Sequence, residues 1–207
     1  METENPQKKI KVLTISDHPL SPSGVGTQTK YFIVEMLKTG KFSFASLSGA
    51  IKHDEYKPTK VEEFGDDWVI FPVDGYGNQD VIRSVIRNQK PDILWFMTDP
   101  RFFPWLWEIE NEIRSLIPMV YYHVWDNYPY PTFNKIWYDS TDVVVSIVPP
   151  TSSMIGAHCL CASQIVSLIP YSIGNFASNK IFAVSSIASS RVTSLPSILA
   201  IGLSSIT

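Results

Sequence analysis

The side chains with chemical reach fall in three short stretches, each directly after an apolar run. The first holds Asp17, His18 and the loop Ser23-Gly24-Val25-Gly26. The second holds Thr98, Asp99 and Arg101. The third holds His123, Trp125, Asp126, Asn127 and Tyr128. Carboxylates and amides hydrogen-bond sugar hydroxyls, and aromatic rings cover apolar sugar faces, so this set suits a carbohydrate or nucleotide-sugar cleft. The two glycines permit close approach of an anion, which the first N–H groups of a following helix can hold. Each feature also has a plainer reading. The glycines serve a turn that needs positive φ, and Asp17 and Asp99 cap the turns after their strands. His123, inside an apolar run, reads equally as a hydrogen-bonded core histidine. Trp125, Tyr128 and Tyr130 fill the space above a sheet.

Those stretches must be positioned by the elements before them. Ile10 to Ile15 is short, apolar and β-branched, as in a buried strand. Tyr31, Phe32, Val34 and Leu37 recur at helical spacing, and Gly40 marks the helix end. Further strands are predicted over 42–48, 68–73, 93–97, 119–124 and 142–148. Helices are predicted over 80–88 and 102–116, with a short one over 133–138. Residues 49–67 are polar and charged and read as an exposed excursion, in which His53 has no role. About six strands alternating with helices predict an α/β fold, a Rossmann-like, doubly wound parallel sheet with helices on both faces. All three polar stretches then lie at one rim, the carboxyl ends of the strands, where such sheets bind ligands.

Composition excludes several classes. With 17 Lys and Arg against 20 Asp and Glu, the net charge is −3, so no electrostatic nucleic-acid binder is expected. The segment METENPQKK lacks the apolar core of a secretory signal. Nothing in the first 149 residues is long and apolar enough to span a membrane. The two cysteines, Cys159 and Cys161, make neither a disulfide framework nor a zinc site and fit a reducing compartment, hence a cytoplasmic location. Residues 150–207 contain no Asp or Glu, and their only charges are Lys180 and Arg191. No charged helix face can be drawn there. Two domains of unlike character follow: a Rossmann-like domain over 1–149, and an irregular, Ser/Ile-rich tail over 150–207 that does not read as a native domain. An out-of-frame ending, a disordered tail and a membrane-associating segment are the readings open for it, and the first accounts best for the abrupt change of composition.

The succession KVLTISDHPLSPSGVGTQTKYFIVEML, KPDILWFMTDP and MVYYHVWDNYPYP resembles the amino-terminal half of GT-B glycosyltransferases, of the retaining, family-4-like type. The resemblance spans about residues 10 to 149. It implies two Rossmann-like domains facing a cleft, with the acceptor held mainly by the amino-terminal one and a nucleotide-sugar donor by the other. Transfer in such enzymes is usually metal-independent, so no cofactor is expected beyond the donor as substrate. By the same resemblance, Ser23, Gly24 and Gly26 match the donor-phosphate loop, with Val25 between glycines that are often adjacent. Asp126 matches the Asp of a catalytic His-Asp pair. Trp125 stands in the place of the His, and His123 lies two positions earlier as its substitute. Asp17, Asp99, Trp125, Asn127 and Tyr128 fall on the acceptor side. The Glu-containing donor motif has no counterpart in a tail without Glu, so the chain is expected to be an acceptor-binding half, inactive alone.

Two other functions compete. A nucleotide-dependent Rossmann oxidoreductase wants GxGxxG and an acidic residue ending the second strand, where Leu47-Ser48-Gly49 stands instead. A non-catalytic carbohydrate-binding module would use the same rim without turnover.

Overall fold

The computed structural model describes residues 8–125, 131–146 and 159–161, all of which fall in the unit Met1–Ala162. The predicted tail otherwise lies outside the described residues. Strand β1 (Ile10–Asp17) leads into helix α1 (Gly24–Lys38), then β2 (Phe42–Gly49). A two-residue strand β3 (Thr59–Lys60) precedes β4 (Trp68–Pro72) and α2 (Gln79–Gln89). Strand β5 (Ile93–Met97) is followed by a 3₁₀ turn (Pro100–Phe102), α3 (Pro104–Trp107) and α4 (Glu110–Leu116). Then come β6 (Met119–His123), α5 (Lys135–Asp139), β7 (Val143–Ser146) and β8 (Cys159–Cys161).

The strands form one sheet in the order β3-β4-β2-β1-β5-β6-β7-β8. All pairings are parallel except β3 with β4, so the excursion over 49–67 supplies an antiparallel edge that sequence did not reveal. The α/β, Rossmann-like class is as predicted. Chain order runs outward from β1 through β2 to β4 on one side, and outward through β5 to β7 on the other. The reversal makes a topological switch point between the carboxyl ends of β1 and β5.

The two faces of the sheet differ in chemistry. On one, Leu13, Ile15, Leu47, Leu94, Phe96 and Tyr121 pack with Ile82 of α2, Leu106 of α3, Ile113 of α4 and Tyr138 of α5 in a continuous apolar core. On the other, α1 docks partly through hydroxyls. Ser16 and Thr29 share a hydrogen bond of 2.7 Å, Thr14 donates to Ser46, and the Trp68 indole donates to the same Ser46 oxygen. Phe32 of α1 stacks on Trp95 at 4.6 Å and meets Phe44 edge-on.

Three local expectations change. The predicted helix over 102–116 is broken in two. Pro104 has no N–H to extend the 3₁₀ turn before it, and Ile109, at φ −116°, ψ 17°, leaves helical geometry between α3 and α4. Helix α1 begins earlier than periodicity suggested, because Ser23 caps it by accepting the Gly26 N–H at 2.8 Å. The glycines of that loop therefore stand in the first helical turn and are not at positive φ. Gly26 is required for another reason: a Cβ there would lie 2.5 Å from the His18 carbonyl oxygen, whereas one on Gly24 would meet nothing. Positive φ is used instead at Gly40, where α1 stops as predicted, and at Gly75 and Gly77 in the turn after β4.

Closest of all is the approach of Gly49 to that turn, since a Cβ on Gly49 would stand 1.5 Å from the Gly75 carbonyl oxygen. Gly49→Ala is expected to lower unfolding stability by about 2–3 kcal/mol through overpacking against backbone. Gly24→Ala is expected to be neutral or to stabilise by about 0.5 kcal/mol, by reducing the freedom of the unfolded chain. Urea denaturation of both variants checks the contrast.

Candidate functional site

Strand register sets out the rim. Ile15 pairs with Phe96, and Phe96 with Tyr121. Two positions further along each strand stand Asp17, Thr98 and His123, in one row across β1, β5 and β6. Asp17 also pairs with Gly49 on β2. The row crosses the switch point, and alternation puts it on the side of the sheet that carries α2 to α5.

Asp17 is the most connected member. One carboxylate oxygen accepts the Ser23 hydroxyl at 2.7 Å, and the other accepts the Tyr76 hydroxyl at 2.8 Å. Ser23 in turn caps α1, so Asp17 fixes the glycine loop as well as the end of β1. Tyr76 reaches Asp17 because the Gly75-Tyr76-Gly77 turn lies against Gly49. The Ala50 N–H donates to the Gly75 carbonyl, and Ala50 itself is at φ +63°. Burial, then the bond to Asp17, push the Tyr76 phenol up to about 12, while a hydrogen bond from Thr98 pulls the other way. Tyr76 therefore stays protonated and donates to the carboxylate.

Thr98 is buried and sits at φ +149°, a conformation that β-branched residues avoid. Its carbonyl accepts the Tyr121 hydroxyl at 2.8 Å. Backbone strain of this kind persists where surrounding contacts over-determine it. Asp99, next in sequence, caps the 3₁₀ turn by accepting the Arg101 N–H at 2.9 Å and takes the Arg101 Nε at 2.9 Å. Its carboxyl is held below the ordinary value first by Arg101, with a smaller contribution from His123.

His123 is 1 % exposed. Its ring meets Tyr138 edge-on at 5.2 Å and lies 5.9 Å from Tyr121. The Tyr138 hydroxyl is 3.3 Å from one ring nitrogen and 3.4 Å from the other. Burial pushes the imidazole down to about 4 against the pull of Asp99, so it is neutral at pH 7. These are the surroundings of a core histidine.

Trp125 is half-buried, edge-on to Phe133 at 6.1 Å. Asp126, Asn127 and Tyr128 lie outside the described residues. The structure thus brings Asp17, Ser23, Gly26, Asp99 and His123 to one rim, with Thr98 and Tyr76 as the links between them. Tyr76 carried no sequence signal beyond a glycine on either side. His53, given no role by sequence, comes to 5.7 Å from His18 and donates its Nε2–H to the Ser48 carbonyl oxygen across 3.0 Å. Burial, then His53, lower the His18 pKa.

Among the described residues, no group of three or more His, Cys, Asp or Glu is placed to hold a metal ion. No described helix is long and apolar enough to cross a membrane. The sequence matches no family model, and no curated protein is significantly similar to it.

The histidine gives a measurable signature. A folded pKa of about 4 against 6.5 means that the unfolded chain binds the extra proton first. The contribution of His123 is complete above pH 6.5 and is lost as pH falls toward 4, by about 3 kcal/mol in all. Asp99, shifted down, loses its contribution only at still lower pH. Urea midpoints followed from pH 7 to 4 are expected to fall less steeply in His123→Phe than in the parent.

Proposed function

We propose that this domain is the acceptor-side half of a glycosyltransferase that uses a nucleotide-diphosphate sugar. The observation that carries the reading is the polar, aromatic-flanked rim at the β1–β5 switch point, where Asp17, Thr98 and Asp99 stand beside Tyr76 and the start of α1. Hydroxyl-rich ligands need this mixture of fixed carboxylates and ring faces. The first N–H groups of any helix have no partner within it; at α1 Ser23 takes that of Gly26, and those of Gly24 and Val25 offer a place for donor phosphate.

The same rim argues against a dinucleotide oxidoreductase. The end of β2, where an acid would grip a ribose, is Gly49, and the space over it is filled by the Gly75 turn. In the glycosyl-transfer reading, Asp17 and Asp99 orient acceptor hydroxyls. His123, enclosed and neutral, supports the base of the aromatic loop and takes no proton from solvent. The chemistry of transfer falls to Asp126 and to groups of the donor-binding partner domain that the resemblance implies. A carbohydrate-binding module without turnover would use the same contacts and is the second reading.

Isothermal titration of the full chain with UDP, GDP and a panel of neutral glycosides tests the proposal. Saccharide binding in about the millimolar range or tighter, with weaker nucleotide binding, is the expected result. Tight nucleotide binding with no saccharide bound would point to a nucleotide-dependent Rossmann enzyme.

A further inference from the structure

Tyr76 and Phe102 lie on separate loops, yet the fold presses them together. Their ring centroids are 5.6 Å apart with planes inclined at 40°. Behind them, Phe103 is fully buried and meets Tyr76 edge-on at 5.4 Å. Phe102 itself is 57 % exposed. One ring of this pair is therefore anchored in the core, and the other is presented to solvent.

The Tyr76 ring is not free to swing. The Tyr76 hydroxyl is tied to Asp17, and its turn is seated on Gly49. Phe102 closes a 3₁₀ turn that starts at Pro100 and is capped by Asp99. The Asp99 carboxylate also grips the Arg101 guanidinium through Nε, at 2.9 and 3.1 Å to its two oxygens. This hydrogen-bonded pair directly precedes the exposed Phe102 in the same turn. Ordering Tyr76 on binding would require little further loss of freedom.

We infer that Tyr76 and Phe102 form a fixed aromatic wall beside the switch point, which takes the apolar face of a pyranose ring while the Asp99–Arg101 pair meets its hydroxyls. A pyranose has C–H groups across one face and hydroxyls around its edge, the pattern that an aromatic face bordered by polar groups complements. This assignment rests on the glycosyl-transfer reading and adds two residues that the sequence did not single out, Tyr76 and Phe102.

Saturation-transfer NMR on the full chain tests it, with methyl glucoside, mannoside and galactoside as probes and uridine as the flat-ring comparison. Irradiation of aromatic protons is expected to label the C–H protons of one sugar face. Phe102→Ala removes an exposed ring and leaves the core intact, which circular dichroism verifies. It should weaken saccharide binding about tenfold. Tyr76→Phe keeps the ring and loses its tether, and should weaken binding by a smaller factor. Unchanged sugar binding in both variants overturns the wall and leaves the glycosyl-transfer reading standing. Uridine labelled in place of the sugars, with the same loss in Phe102→Ala, overturns the sugar assignment. No labelling of any sugar by the parent chain overturns the wall and the glycosyl-transfer reading together.

Discussion

The carboxylate of Asp17 holds the functional rim in place. Its two oxygens accept from Ser23 and Tyr76, so one anionic group joins the end of β1, the start of α1 and the turn after β4. Hydrogen bonds to an ionised acceptor are shorter and stronger than neutral ones. Here they do what apolar packing cannot, because loops at the end of a sheet have little core to rest on. Without that carboxylate, the Ser23 hydroxyl that caps α1 and the Tyr76 hydroxyl would each lose the partner that fixes its geometry.

The glycines support this arrangement by their lack of a side chain more than by their freedom. Gly26 lets α1 start tight against the His18 carbonyl, and Gly49 lets the Gly75 turn close over β2. Both contacts are between main-chain segments, where no rotamer change can relieve a clash. They bring Tyr76 to the rim and exclude a ribose-gripping acid from the end of β2. Close approach therefore decides both the shape of the site and one of the functions it does not suit.

Most of the fold was legible in the sequence because its signals are local. Apolar runs such as Ile93–Met97 carry their burial in their composition, and Gly40 marks the end of α1 by its own chemistry, whereas the Ser23 and Asn78 caps lie within segments that read as loop and turn. The break between α3 and α4 was missed because apolar spacing continues across Ile109 while the backbone does not. Strand β3 was missed because two exposed residues carry no pattern. At the site, Asp17, Asp99 and His123 were visible as polar residues just past strands. The core surroundings of His123 match one of the two readings its apolar neighbours allowed. Tyr76, Phe102 and the pairing of His18 with His53 depend on which loops the sheet order brings together, and no local pattern encodes that order.

The switch point also bears on how the chain acquires its structure. Lys11 and Asp92, which meet at the start of β1 and β5, are 81 positions apart. Strand β1 can pair with β2 early in synthesis, but its other edge waits until β5 has been made. Until then Val12 to Ile15, among the most buried residues of the finished domain, present an open strand edge. Such edges are templates for pairing between chains, and slow, non-local closure prolongs the exposure. The strand order that makes the switch point in the folded protein thus makes β1 the segment most in need of protection while the protein folds.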